Sequence, residues 1–227
     1  IKYVMVGPLS EILSVLELSK QDEEGHEDEE GHEHADEEHV DEEEHEHMDG
    51  EVEYDEHVWT SPVNAMKMVD GVREKLATIY PEKRETFERN AEEYNARLMD
   101  IDRKIREVVA DGARKELIFG DRFPFRYFVD EYGLDYYAAF PGCSEQTEAS
   151  SQTIAFLIDK AKTEGVKVIL KIELTSDKLA QTIADEVGAK VMTLNAAHNI
   201  SQEDFEHGVT YADTMERNLE VLREALE

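Results

Sequence analysis

Apolar residues recur through the middle of the chain at Phe87, Ala91, Tyr94, Leu98, Ile101, Ile105 and Val108, alternately four and three positions apart. That spacing puts them on one face of a helix. It predicts a long helix from Pro81 to Asp111-Gly112; about 30 residues at 1.5 Å each make a rod of roughly 45 Å, long enough to be a spine. Ala91 and two aromatics would make a poor coiled-coil seam, so that alternative is the weaker one. A helix before it is predicted from Ser61-Pro62, with Ser as N-cap and Pro at the first helical position, to Ile79, and Tyr80-Pro81 stops it.

Beyond Gly112 the pattern changes to short apolar runs alternating with helical segments. Strands are predicted at Glu116–Phe119, Tyr136–Phe140, Val166–Ile172 and Lys190–Leu194. Helices are predicted at Phe123–Tyr132, Ser150–Thr163, Ser176–Val187 and Val209–Ala225, the first three closed by Gly133, Gly165 and Gly188. Four βα units with short loops predict an α/β fold with a parallel, doubly wound sheet. Ligands of such sheets bind at the carboxyl ends of the strands. Those ends are Gly120-Asp121-Arg122, Pro141 to Glu145, Glu173-Leu174-Thr175 and Asn195 to His198.

The first twenty residues predict a strand, Ile1–Val6, a Gly7-Pro8 turn and a helical turn or two with Ile12, Leu13, Leu16 and Leu18 on its apolar face. The chain opens in mid-pattern without an initiator Met or signal peptide, and so reads as the later part of a longer polypeptide. Gln21 to Glu53 is different: almost nothing there is apolar, and no period is usable. Burial cannot offset the entropy of ordering it, which predicts a disordered loop. Structure is expected to resume at Tyr54-Asp55-Glu56-His57-Val58-Trp59.

Composition sharpens this loop. The chain carries 24 Lys+Arg against 55 Asp+Glu, a net charge of −31, yet 21 of the acids lie between Asp22 and Glu56, where there is no Lys or Arg. Such a field repels nucleic acid and anionic membrane surfaces and favours a cation. One cysteine, Cys143, excludes an internal disulfide framework and a multi-Cys zinc site. No apolar run reaches the length of a membrane span.

Six of the nine histidines, His26, His32, His34, His39, His45 and His47, lie inside the acidic loop. Imidazole suits Zn, Cu, Ni and Fe, and carboxylates add charge and oxygen donors. The alternative is a solubilising segment with incidental histidines; repeated Gly-His-Glu and His-Glu-His favour metal binding. Sites on such a segment are expected to be weak, multiple and interchangeable, because each ligand must be ordered on binding. No zincin helix is present, since His32-Glu33 is followed by Asp36 where His is required, and no EF-hand loop has Asp at its first place. His57 differs from these six because Tyr54, Val58 and Trp59 surround it. It reads as either a rigid ligand or a packed aromatic, and the neighbouring loop favours the ligand.

Asp55-Glu56-His57-Val58-Trp59-Thr60-Ser61-Pro62 resembles the Asp-x-His-x-Trp-x-(Ser/Asp)-Pro signature of zinc/manganese ABC-transporter substrate-binding proteins, the cluster A-I type. The order of loop, signature, spine helix and βα lobe is similar too. So are Phe125-Arg126-Tyr127-Phe128 with Tyr132-Gly133-Leu134, the Glu145-x-x-Glu148-Ala149-Ser150 turn, and Glu173 ahead of Ser176-x-Lys178. The resemblance covers nearly the whole chain. It implies a two-lobed fold with a long backbone helix: residues 1–20 end an N-terminal lobe largely missing from this chain, 21–53 are the loop, 54–61 the signature, 62–112 the helix pair with the spine, and 113–227 the C-terminal α/β lobe.

The resemblance implies an extracytoplasmic binding protein, periplasmic or lipid-anchored at the cell surface and monomeric, that captures a divalent metal and delivers it to a membrane permease. Zn2+ is the expected cargo, with Mn2+ or another divalent transition metal such as Fe or Ni as the alternative; histidine richness leans toward Zn2+ because Mn2+ prefers oxygen ligands. His57 then takes the place of the family's metal histidine. Arg122 stands where His or Glu is usual, and a guanidinium cannot bind a cation; Asn195 stands where a ligand Asp is common. His198, three residues on, is expected to replace the lost ligand. Glu173 is either a ligand or a carboxylate acting from behind the ligands; Cys143 is a soft ligand or buried filler, and His207 is a surface residue. Binding should weaken as the pH falls through about 6.5, where imidazole protonates. Storage, buffering or sensing through the loop is the competing function. An enzyme would need a nucleophile–base set or a Gly-rich phosphate loop, and the sequence has neither.

Overall fold

The computed structural model describes residues 55–141 and 149–227. The predicted N-terminal strand and helical turns, the loop with its six histidines, and Cys143 lie outside the described residues. His57–Glu227 forms one compact unit. No helix among the described residues is long and apolar enough to cross a membrane.

Helix α1 spans Pro62–Ile79; the Ser61 hydroxyl accepts the Asn64 N–H at 3.3 Å, and Pro62 takes the first turn, where its missing N–H costs nothing. Pro81 opens a single 3-10 turn, Pro81–Lys83, so the long helix α2 begins at Arg84 rather than Pro81 and runs to Asp111. Its 28 residues give a rod of about 42 Å. The predicted stripe is its inner face: Ala91, Leu98, Ile101, Ile105 and Val108 are buried, and Phe87 and Tyr94 half-buried.

Then follow β1 (Glu116–Phe123), α3 (Arg126–Tyr132), β2 (Asp135–Pro141), α4 (Ser151–Glu164), β3 (Val168–Lys171), α5 (Lys178–Val187), β4 (Lys190–Thr193), α6 (Gln202–Glu206) and α7 (Tyr211–Leu226). All pairings are parallel, in the order β2-β1-β3-β4. Side chains alternate between two cores, as a pleated strand requires. Leu117, Phe119, Val168 and Leu170 face α2, α3 and α7. Ile118 and Ile169 face α4 and α5, against Leu157, Ala161, Ala180 and Ile183. Ala65 of α1 shares the first core, so the helix pair and the sheet form one body.

Several boundaries differ from the sequence reading by a few residues, two of them around the end of β1. Strand β1 continues four residues past Phe119, so Gly120-Asp121-Arg122 lies within the strand. One extra β1 residue fits between the Phe119–Ala138 and Arg122–Phe140 pairs, a bulge that bends the strand there. Helix α3 starts at Arg126 because Phe123 still belongs to β1, packed edge-on to Phe119. The last helix is preceded by the short α6, and α7 opens at Thr210 with a capping box to Asp213.

From β1 the chain turns outward to β2 on one side and to β3 and β4 on the other. The crevice at the carboxyl ends of β1 and β3 is therefore the switch point at which doubly wound sheets bind ligands.

Candidate metal centre

His57 precedes a 3-10 turn, Val58–Thr60, that carries the chain into α1. Its carbonyl accepts both the Thr60 N–H at 3.2 Å and the Thr60 hydroxyl at 2.8 Å. Val58 and Thr60 are fully buried, and His57 is 4% exposed. Trp59 ties this turn to distant parts of the chain. Its indole Nε1 donates to the Ala196 carbonyl at 3.0 Å, and its own carbonyl accepts the Tyr211 hydroxyl at 2.7 Å. Burial, the larger cause, and the neighbouring Tyr94 push the Tyr211 phenol well above its ordinary range, so it remains a donor.

His198 arrives from the other side, on the loop after β4. Buried Asn218 of α7 holds the root of that loop with both ends of its amide: Oδ1 accepts the Asn195 N–H at 2.9 Å, and Nδ2 donates to the Asn195 carbonyl at 2.7 Å. The Asn195 side chain accepts the Ala197 N–H at 2.7 Å. Glu173, buried at the end of β3, accepts the Ala196 N–H at 2.8 Å, the His198 N–H at 2.9 Å and the Asn199 N–H at 3.0 Å. Two residues of these strand-end loops, Leu174 and Ala197, have left-handed φ values of 55° and 54°, a conformation that non-glycine residues hold only when their surroundings fix it.

The result brings together two histidines far apart in sequence. The His57 and His198 rings stand edge-to-face with centroids 5.4 Å apart, and Trp59 flanks both at 5.4 and 6.0 Å. Two imidazoles bound to one tetrahedral metal at about 2.0–2.1 Å would have centroids about 5 Å apart. The pair therefore has the spacing of two nitrogen ligands, on backbone held by hydrogen bonds.

The other residues singled out from sequence take different places. Arg122 lies on β1 with its guanidinium 5.9 Å from the centre of the Phe140 ring. Its neighbour Asp121 accepts the Arg122 and Ile172 N–H groups at 2.8 and 3.1 Å and the Thr175 hydroxyl, stitching β1 to the end of β3. His207 is exposed at the end of α6, its Nδ1 2.7 Å from the Glu203 carbonyl. Sequence reasoning missed the roles of Asp121, Asn218, Tyr211 and the Trp59 indole. The one available signal was Asn218, a polar residue among Met215, Leu219 and Leu222 on the apolar face of α7, because buried amides need partners.

Residues 4–225 match the family described as zinc-uptake complex component A, periplasmic. Over 172 residues, 76% of this chain and 53% of the relative, the chain is 38% identical to the high-affinity zinc uptake system protein ZnuA of Bacillus subtilis. It is 35% identical to the zinc-binding lipoprotein AdcA of Streptococcus pneumoniae over 76% of this chain and 34% of that protein. The chain thus spans about half the length of the first relative and a third of the second. Among solved structures, the metal-dependent lipoprotein YcdH of Bacillus subtilis superposes with a TM-score of 0.67 at 37% identity, over 76% of this chain and 65% of that one. The Zn(II)-bound ZnuA-like domain of Streptococcus pneumoniae AdcA gives 0.65 at 34% identity, over 76% and 64%. With a match running through nearly all of its length, the chain belongs to the zinc-uptake complex component A family.

Proposed function

We propose that this chain is part of an extracytoplasmic binding protein that captures a divalent metal, zinc foremost, and passes it to an ABC permease in the membrane. The observation that carries the reading is the His57–His198 pair at 5.4 Å, held by the Trp59, Glu173 and Asn218 hydrogen bonds. Two neutral imidazoles select a borderline-soft cation such as Zn2+ over Mn2+. They supply two of four tetrahedral positions, which suits a cargo that must be released again. The reading is capture and release without turnover. The acidic, histidine-bearing stretch before His57 acts as a collector, raising the local concentration of metal.

A competition titration with zinc on the intact chain, on His57→Ala and His198→Ala, and on a variant lacking Asp22–Glu53 tests this. One tight site is expected. It should survive the deletion with slower loading at scarce metal, and either alanine should weaken it by more than the roughly 10–100-fold typical of losing an outer partner of a metal ligand. Several equal, weak sites that vanish with the loop would establish buffering instead. Unchanged affinity in both alanine variants would remove the pair from the site.

A further inference from the structure

Glu173 faces three amides that belong to one short loop. Oε2 accepts the Ala196 N–H, and Oε1 accepts those of His198 and Asn199. Three of the four amides of residues 196–199 converge on this one anion, much as in a nest of backbone N–H groups, and hydrogen bonds to an ionised acceptor are about twice as strong as neutral ones. The loop is thus moulded around the carboxylate, with Ala197 in the left-handed region at its apex. That moulding fixes the Ala196 carbonyl where the Trp59 indole meets it, and it fixes the backbone of His198 itself.

Resting on the reading of His57 and His198 as metal ligands, we propose that Glu173 is a positioning residue: its carboxylate sets His198 at metal-binding distance from His57 and does not itself ligate the metal. The three amides take three of the carboxylate's roughly four acceptor positions, so its principal hold is on the loop that carries His198, and turning it to an ion would loosen that template. With the amides bound, the same negative charge stays close to the histidine pair and favours a cation there.

The experiment is a double-mutant cycle on the intact chain. Zinc affinity is measured by chelator competition for the parent, Glu173→Gln, His198→Ala and the double variant, with amide hydrogen exchange of residues 196–199 followed in the metal-free proteins. Glu173→Gln should weaken zinc binding about 10–100-fold and speed exchange at Ala196, His198 and Asn199 while the sheet stays protected. The double variant should bind zinc no more weakly than His198→Ala alone, because both changes remove the same ligand. Should Glu173→Gln fail to fold, Glu173→Asp keeps the charge and enters the same cycle with the same expectation. Multiplying losses in the double variant, or unchanged affinity in Glu173→Gln, overturns the proposal alone. Parental affinity in both His57→Ala and His198→Ala overturns the underlying metal reading, and the proposal with it.

Discussion

A buried side-chain amide destabilises a core unless its donor and its acceptor both find partners, and Asn218 satisfies both on a single residue, Asn195. Asn218→Ala would leave the Asn195 N–H and carbonyl unpaired next to the core; denaturant unfolding should show a loss of about 1–3 kcal/mol. Roles of this kind are faint in a sequence. His57 and His198 could be picked out because imidazole is scarce outside the acidic stretch and has few uses beyond ligation and packing. Glu173 and Asn218 act on backbone groups far away along the chain, and nothing local to them reveals which. The same holds for Asn195: read as a ligand position that had lost its acid, it instead turns its side chain to the Ala197 N–H.

Among the elements, the clearest successes were those with a chemical start or stop. The stripe of α2, the Ser61-Pro62 opening of α1, and the left-handed glycines that close α3, α4 and α5 were all legible, since periodicity and capping are local. Strand β1 was read too short because Gly120-Asp121 has the composition of a turn. Gly120 serves another purpose: a Cβ there would lie 2.4 Å from the Ala180 Cα. Helix α5 thus rests directly on β1, close beside the Asp121 tie. Gly120→Ala must push the helix off the sheet. An overpacking loss of about 1–3 kcal/mol is expected, read from the midpoint of a denaturant transition, and Asp121 should lose its hold on the end of β3.

For the molecule as a whole, phenols packed in and against the core set an upper limit in pH. Tyr132 and Tyr211 are both held above the ordinary tyrosine range, burial being the main cause in each, with Asp102 adding to it at Tyr132. The unfolded chain releases these protons near pH 10, while the folded chain keeps them. The stabilisation is therefore fully present below about pH 10 and is lost as the pH rises above it. Thermal melts between pH 8 and 12 should show the decline, and Tyr211→Phe should flatten part of it while lowering stability at neutral pH through the lost Trp59 bond.

The bonds of Trp59 also set an order of events. One reaches 137 positions along the chain to Ala196, the other 152 to Tyr211. A polypeptide made from its N-terminus presents its acidic stretch and His57 long before the residues that pack around His57 exist. Contacts of such separation carry the largest loop-closure cost and form late. On the proposed reading, the seat for the ion is thus among the last parts of the fold to be assembled, and a nascent or truncated chain would attract metal without being able to hold it.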